Sequence, residues 1–250
     1  MQAMIFAAGL GTRLQPLTDH CPKALVSLAG RPLIDHVINK LRAAGATRIV
    51  VNVHHFADML CQHLQQSRHA DVEVLVSDER KQLLDTGGGV RKALTLIDEQ
   101  QPLLLHNVDI VSAVSLTDFI SEAERQHSAV GCDAALMVSP RSSTRYLLFN
   151  NDNRMVGWTN TKTGEMRPAE LAGLAARYTF WRFAFSGIHM LFPDIYPLLK
   201  DYPQRFGITD FYVQTCQQRT YVAVNTPKDH LIDVGTPERL ATAEQLLYKS

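Results

Sequence analysis

The chain has 250 residues, 46% of them apolar, which supplies a large hydrophobic core and excludes wholesale disorder. Its 25 Lys and Arg balance its 25 Asp and Glu, so bulk attraction to nucleic-acid phosphates is excluded as a mode of action. Cys21, Cys61, Cys132 and Cys216 lie far apart with no CxxC pair, which excludes a disulfide scaffold or zinc ribbon. The N-terminal segment lacks a basic region, and no run approaches the roughly 20 apolar residues that span a bilayer. The expectation is a soluble, cytoplasmic protein with neither nucleic acid nor membrane among its partners.

In chain order, residues 4–8 form a short apolar run ending in Gly9-Leu10-Gly11, a buried strand feeding a loop. Pro32 opens a helical pattern (Leu33, Val37, Ile38, Leu41) that stops near Gly45. Residues 48–53 read as a second strand, followed by a helix through Met59, Leu60 and Leu64. A third strand at 72–76, a helix at 90–97 and a fourth strand at 102–107 complete the alternation. Such alternation specifies parallel crossovers and a Rossmann-like α/β fold, with a mostly parallel sheet and helices on both faces. The second half differs. Residues 146–149 and 154–158 read as a hairpin, 160–176 as a polar loop or lid, and 183–191 as a strand. Helices are expected at 209–216 and 237–248, with a strand at 230–234 between them. The simplest account is one domain, 1–250, with a small β-rich insertion in its second half.

Ligands of parallel sheets collect at the carboxyl ends of strands, where Gly9 to Arg13 and Asn107 to Asp109 both fall. In Ala8-Gly9-Leu10-Gly11-Thr12-Arg13, bare glycines let backbone N–H groups approach phosphate oxygens, and Arg13 adds a guanidinium fork. Lys23, in Pro22-Lys23-Ala24, adds a point charge. A dinucleotide motif requires a third glycine where Leu14 stands, and a P-loop requires a Gly-Lys pair that the chain does not contain. A tight turn with solvated charges remains the plain alternative. Thr86-Gly87-Gly88-Gly89 either lies against a nucleotide or is a loose helix entry. Asp109 and Asp233 at strand ends either meet on a divalent cation or cap helices and turns. His54-His55 has the look of a metal pair, but neighbours on a strand face opposite sides, which favours an ordinary structural role.

The ordered set AAGLGTRL, PKAL, TGGG, Asn107-Val108-Asp109, FSGI and Asp233-Val234-Gly235-Thr236-Pro237 resembles the sugar-1-phosphate nucleotidyltransferases across essentially the whole chain. Its length is similar to that of short members such as uridylyltransferases for N-acetylmuramate 1-phosphate and guanylyltransferases for heptose or mannose 1-phosphate. The resemblance implies Mg²⁺-dependent transfer of a nucleotidyl group from an NTP, UTP or GTP, to a sugar 1-phosphate, releasing pyrophosphate, as in cell-envelope precursor synthesis. It assigns catalysis to Arg13, Lys23 and Asp109, and metal binding to Asp109 and Asp233. Nucleotide binding falls to Ala8, Gly9, Gly11, Thr12, Arg13, Lys23, Thr86, Gly87, Gly88 and Asn107, and sugar binding to Ser186, Gly187 and Glu170. The partners implied are the two substrates, with a homodimer as an option. Two departures stand out: Val108 replaces the usual glycine of Asn-Gly-Asp, and the Glu-Lys-Pro sugar-phosphate motif is missing, with Lys162, Glu165 and Glu170 in its general region. The rival functions are a phosphocholine-type cytidylyltransferase and an inactive sugar-nucleotide-binding regulator.

Overall fold

The computed structural model describes residues 1–67, 71–174, 179–227 and 231–247. The first half follows the expected alternation: β1 (Gln2–Phe6), a small ribbon of β2 (Ser27–Leu28) and β3 (Arg31–Pro32), α1 (Leu33–Ala43), β4 (Arg48–Val53), α2 (Ala57–Gln66), β5 (Glu73–Asp78), α3 (Asp85–Ala93) and β6 (Leu103–Asn107). Next come β7 (Ile110–Ser112), α4 (Leu116–Val130) and β8 (Ala134–Ser139), then β9 (Arg145–Phe149), β10 (Met155–Asn160), β11 (Glu165–Arg167) and α5 (Leu171–Leu174). The chain continues through β12 (Trp181–Leu191), α6 (Tyr196–Asp201), α7 (Ile208–Thr215), β13 (Tyr221–Asn225), β14 (Leu231–Asp233) and α8 (Pro237–Leu247).

Among the described residues, ten strands form one mixed sheet with the order β11-β10-β9-β12-β6-β1-β4-β5, while β8 flanks β12 and carries β13. β6, β1, β4 and β5 run parallel, and β12 turns antiparallel against β6. Strand alternation sorts the core into two layers. Ala3, Ile5, Ile49, Val51, Val53 and Leu104 face α1, α2 and α4, whereas Met4, Phe6, Val50, Leu103 and Leu105 face α3, α6 and α7. Each fully buried Leu, Ile or Val contributes roughly 1.5–3 kcal/mol, so this pattern fixes the strand register. The α/β architecture and the β9–β10 hairpin are as expected from sequence.

Three expectations change. The third helix begins at Asp85 rather than Val90, and only a 3₁₀ turn at Leu94–Leu96 follows it. The glycines stay helical because the helix is packed against Phe206 and Gln204, where a side chain has no room. The stretch 160–176 is not structureless: it holds β11, paired with β10, and α5, although residues 175–176 lie outside the described residues. His230 and Tyr248, the ends of two expected elements, also lie outside them. Finally, α4, β7, β8, α6 and β13 had no counterpart in the pattern reading. No helix among the described residues is long and apolar enough to cross a membrane.

Two histidines are sealed in the sheet. His106 on β6 and His189 on β12 are fully buried, each with an unpartnered Nε2. Burial pushes His106 down from 6.5 to about 4 and His189 from 6.5 to about 3. Both rings are therefore neutral in the fold and take up a proton on unfolding. The unfolded chain binds more protons below pH 6.5, so stability is full above that pH and falls as pH drops toward 4. We expect the Tm to fall steeply through this range, and His189→Gln, which cannot charge, to show a shallower slope. Identical slopes for both proteins count against the assignment.

Candidate active site

β1 and β6 end side by side, with Phe6 paired to Asn107, so the two loops that follow leave the sheet together. A cavity of about 380 Å³ opens between them, lined by Phe6, Ala7, Gly9, Leu10, Gly11, Thr12, Arg13, Lys23, Thr86, Asn107, Val108, Asp109 and Gly235. Sequence positions up to 229 apart thus converge on one crevice at the carboxyl end of the sheet.

The glycine loop is built for tightness at one position. Gly11 adopts φ +69°, and a Cβ there would stand 2.9 Å from Thr18 Cγ2 and 3.1 Å from Lys23 Cβ. Its carbonyl accepts hydrogen bonds from Leu14 N (2.9 Å) and Thr18 Oγ1 (2.9 Å), which closes the turn. Gly9 differs: open space surrounds its missing Cβ, leaving room beside the backbone. Ala8 is buried beneath the loop.

Behind the loop runs a buried polar chain that sequence reasoning missed. Asn52 Oδ1 accepts from Ala7 N (2.8 Å), and Asn52 Nδ2 donates to Glu79 Oε1 (2.8 Å). Glu79 Oε2 in turn accepts from Leu84 N (3.1 Å). One amide and one carboxylate therefore tie the start of the phosphate loop to the entry of α3. Burial raises the Glu79 pKa, while the Asn52 and Leu84 hydrogen bonds hold its charged form. Asn52→Ala leaves Ala7 N–H and the carboxylate each short of a partner. Urea melts should then show a loss of about 2–4 kcal/mol; a loss below that of an ordinary surface change would remove the chain's structural role. An asparagine inside an otherwise apolar strand was the available signal.

Lys23 and Asp109 form an ion pair at the mouth, with only 11% and 16% of their side chains exposed. Asp233 Oδ2 lies 3.9 Å from Arg13 Nη1 and 3.8 Å from Arg239 Nη1. Asp109 and Asp233 meet through a two-stranded ribbon. Asp233 of β14 pairs with Ile110 of β7, and Val234 N donates to Asp109 O (2.9 Å). Gly235 sits close under both side chains, since a Cβ there would stand 2.7 Å from Asp233 Oδ1 and 2.8 Å from Arg13 Nη2. Lys40, reaching from α1 to Ser112 Oγ (2.8 Å), anchors the far end of β7. Burial holds its ammonium down at about 8.

Other expected site residues are placed differently. Thr86 lines the cavity and its Oγ1 accepts from Ile208 N (2.9 Å). Gly87 and Gly88 are buried behind it, and their N–H groups both donate to Phe206 O (2.8 and 3.2 Å). Their missing side chains make room for Phe206 and Gln204, at 2.2 Å from an added Cβ in each case. Helix packing uses these two glycines. Gly187 (φ +74°) is needed because a Cβ would stand 2.5 Å from Asn107 Nδ2, so it positions Asn107. Ser186 Oγ is buried without a partner, and neither Ser186 nor Glu170 lines a cavity at this end of the sheet. Val108 is buried and lines the cavity floor. His54 lies just past β4 with Nδ1 2.8 Å from Glu79 O, and His55 packs on the Phe56 ring; no cluster of metal-ligating groups exists there among the described residues.

A glycine loop after the first strand, a lysine–aspartate pair and a second aspartate on the adjoining ribbon thus stand together at the carboxyl end of an α/β sheet. Residues 2–154 match the family described as nucleotidyl transferase, and the chain belongs to that family as a nucleotidyltransferase. It is 31% identical over 248 residues, 98% of its length and 96% of the relative's, to N-acetylmuramate alpha-1-phosphate uridylyltransferase of Caulobacter vibrioides. It is 30% identical over 141 residues, 56% of its own length and 38% of the relative's, to mannose-1-phosphate guanyltransferase beta-B of Xenopus laevis. Its fold matches the crystal structure of HddC from Yersinia pseudotuberculosis with a TM-score of 0.73 at 21% identity, covering 98% and 99% of the two chains.

Proposed function

We propose that the protein transfers the nucleotidyl group of UTP or GTP to a sugar 1-phosphate in the presence of Mg²⁺, giving an NDP-sugar and pyrophosphate. The observation that carries this is the juxtaposition of the Gly9–Gly11 loop with the Lys23–Asp109 pair in one crevice. The relatives' names support the acceptor class, and they divide between uridylyl and guanylyl transfer.

The acceptor phosphate oxygen is already an anion, so the reaction needs positioning and charge neutralisation more than a general base. The loop backbone around Gly9 and the Arg13 guanidinium would hold the triphosphate, while Lys23 would face the α-phosphate under attack. The carboxylates fit a hard divalent cation. Asp109 and Asp233 are neighbours on one ribbon, and Asp233 Oδ1 is buried with no hydrogen-bond partner. Mg²⁺ held there by both would neutralise developing phosphate charge.

The test is a matrix of UTP, GTP, CTP, ATP and dTTP against sugar 1-phosphates and phosphocholine, read as pyrophosphate release with Mg²⁺. Turnover restricted to phosphocholine with CTP, or absent throughout, overturns the proposal. The bond broken and the bond formed are chemically alike, so the reaction should also run backwards. Purified enzyme given its NDP-sugar and pyrophosphate is expected to release NTP; failure with every UDP- and GDP-sugar would count against catalysis.

A further inference from the structure

The two carboxylates proposed for Mg²⁺ do not stand on the ten-stranded sheet. They belong to the separate ribbon of β7 and β14, in which Ser112 pairs with Leu231, Val111 with Ile232 and Ile110 with Asp233. Asp109 immediately precedes the first of these strands, and Asp233 ends the second. An isolated two-stranded pairing is marginal in water, so the geometry of so short a ribbon depends on what fastens it. At the mouth the fastening is backbone, with Val108 N donating to Phe6 O (3.2 Å). In the middle it is apolar, since Val111 is buried in the core layer that holds α1 and α4.

At the far end the fastening is Lys40. Its ammonium leaves α1 and donates to both the carbonyl and the hydroxyl of Ser112, the hydroxyl at 2.8 Å. No carboxylate among the described residues pairs with it, although it is half-buried and burial lowers its pKa to about 8. A sheltered ammonium without a counter-ion is costly, and an apolar side chain would fill the same space at less cost. What the charge brings is its grip on Ser112. The ammonium also stands near the crevice, because Lys40 and Asp109 both act electrostatically on the buried His106 ring. Lys40 itself does not line the crevice.

We propose that Lys40 is a positioning residue for nucleotidyl transfer: by gripping Ser112 it fixes the β7–β14 ribbon, and through it the spacing of the Asp109 and Asp233 carboxylates. The lever is short. Ser112 lies two residues from Ile110, about 7 Å along a strand, so slippage at one end displaces the pair at the other. This rests on the proposed Mg²⁺ site and adds to it a residue that touches neither the ion nor the substrates.

The experiment measures Mn²⁺ binding to the nucleotide-free enzyme by electron paramagnetic resonance, for the wild type, Lys40→Met, Lys40→Arg and Ser112→Ala. Lys40→Met keeps most of the length but loses the donor and the charge. It should weaken Mn²⁺ binding roughly tenfold or more, the scale on which groups supporting metal ligands act. Lys40→Arg keeps a charged donor and should stay near the wild type, while Ser112→Ala, which leaves the carbonyl, should fall between. In steady state the Mg²⁺ concentration for half-maximal rate should rise in the same order. At saturating Mg²⁺, kcat should change by less than about threefold, because the chemistry itself is untouched. A lowered Tm in Lys40→Met with Mn²⁺ affinity and Mg²⁺ requirement unmoved overturns the inference, as does equal weakening in Lys40→Met and Lys40→Arg. If Lys40→Met does not fold, wild-type Mn²⁺ binding by Ser112→Ala overturns it instead. Absent Mn²⁺ binding, or binding insensitive to Asp109→Asn, overturns the metal site and this inference with it.

Discussion

Asp109→Asn should reduce kcat on the order of 10³-fold, and Asp233→Asn should do the same, because each removes a charge from the site proposed to hold Mg²⁺ against two polyanions. The substitutions keep side-chain shape, so the loss is electrostatic. Asp109→Asn has a second consequence, since it also frees Lys23 from its partner. If the two carboxylates act on one ion, the double variant should cost little more than the worse single one. A Mg²⁺ titration of the wild type, both singles and the double decides the matter. Multiplying losses, or an Asp233→Asn enzyme with normal Mg²⁺ dependence, would separate the two residues.

Lys23→Ala and Arg13→Ala should fail in different ways. The Lys23 side chain is only 11% exposed and points at Asp109, so its charge is poorly screened where phosphate charge develops. Its removal should cost kcat about 10²–10³-fold, the scale of losing one preorganised donor. The Arg13 side chain is 63% exposed on the rim and loosely paired with Asp233. Its loss should mainly raise KM for the NTP, by roughly 10- to 100-fold for a charged hydrogen bond worth ~1.5–3 kcal/mol. Initial rates at saturating and limiting NTP distinguish the two. A pure kcat defect in Arg13→Ala would place that residue in the chemistry instead of on the triphosphate.

The nucleotide end of the fold was legible because it is built from local signals. Apolar runs of period two, Gly9-Leu10-Gly11 after the first strand and Gly45 after α1 each state their own structure. That the backbone segments carrying Asp109 and Asp233 adjoin also followed from both standing at strand ends. α4 was less visible. Its buried face is only Leu116, Phe119 and Ala123, although Ser115, which accepts from Asp118 N (3.1 Å), and Gly131 at φ +61° mark its two ends. The packing role of Gly87 and Gly88 was hidden for a different reason. A glycine announces that something comes close, and only the fold shows that the neighbour is Phe206 or Gln204.

β12 has a consequence for how such an enzyme changes over generations. Its first three residues, Trp181 to Phe183, pair with β9, whereas Ile188 to Leu191 pair with β6, and the register shifts between Phe185 and His189. The β9–β11 flap is thus joined to one end of a strand whose other end is paired with β6, and it is tied a second time to β13, through the Arg154–Val222 bridge and the hydrogen bond from Asn153 Nδ2 to Ala223 O (2.9 Å). Substitutions confined to the flap therefore leave the loop after β1 in place, and a chimaera carrying a relative's β9–β11 on this chain's β12 should fold only where the contacts to β13 are carried over with it.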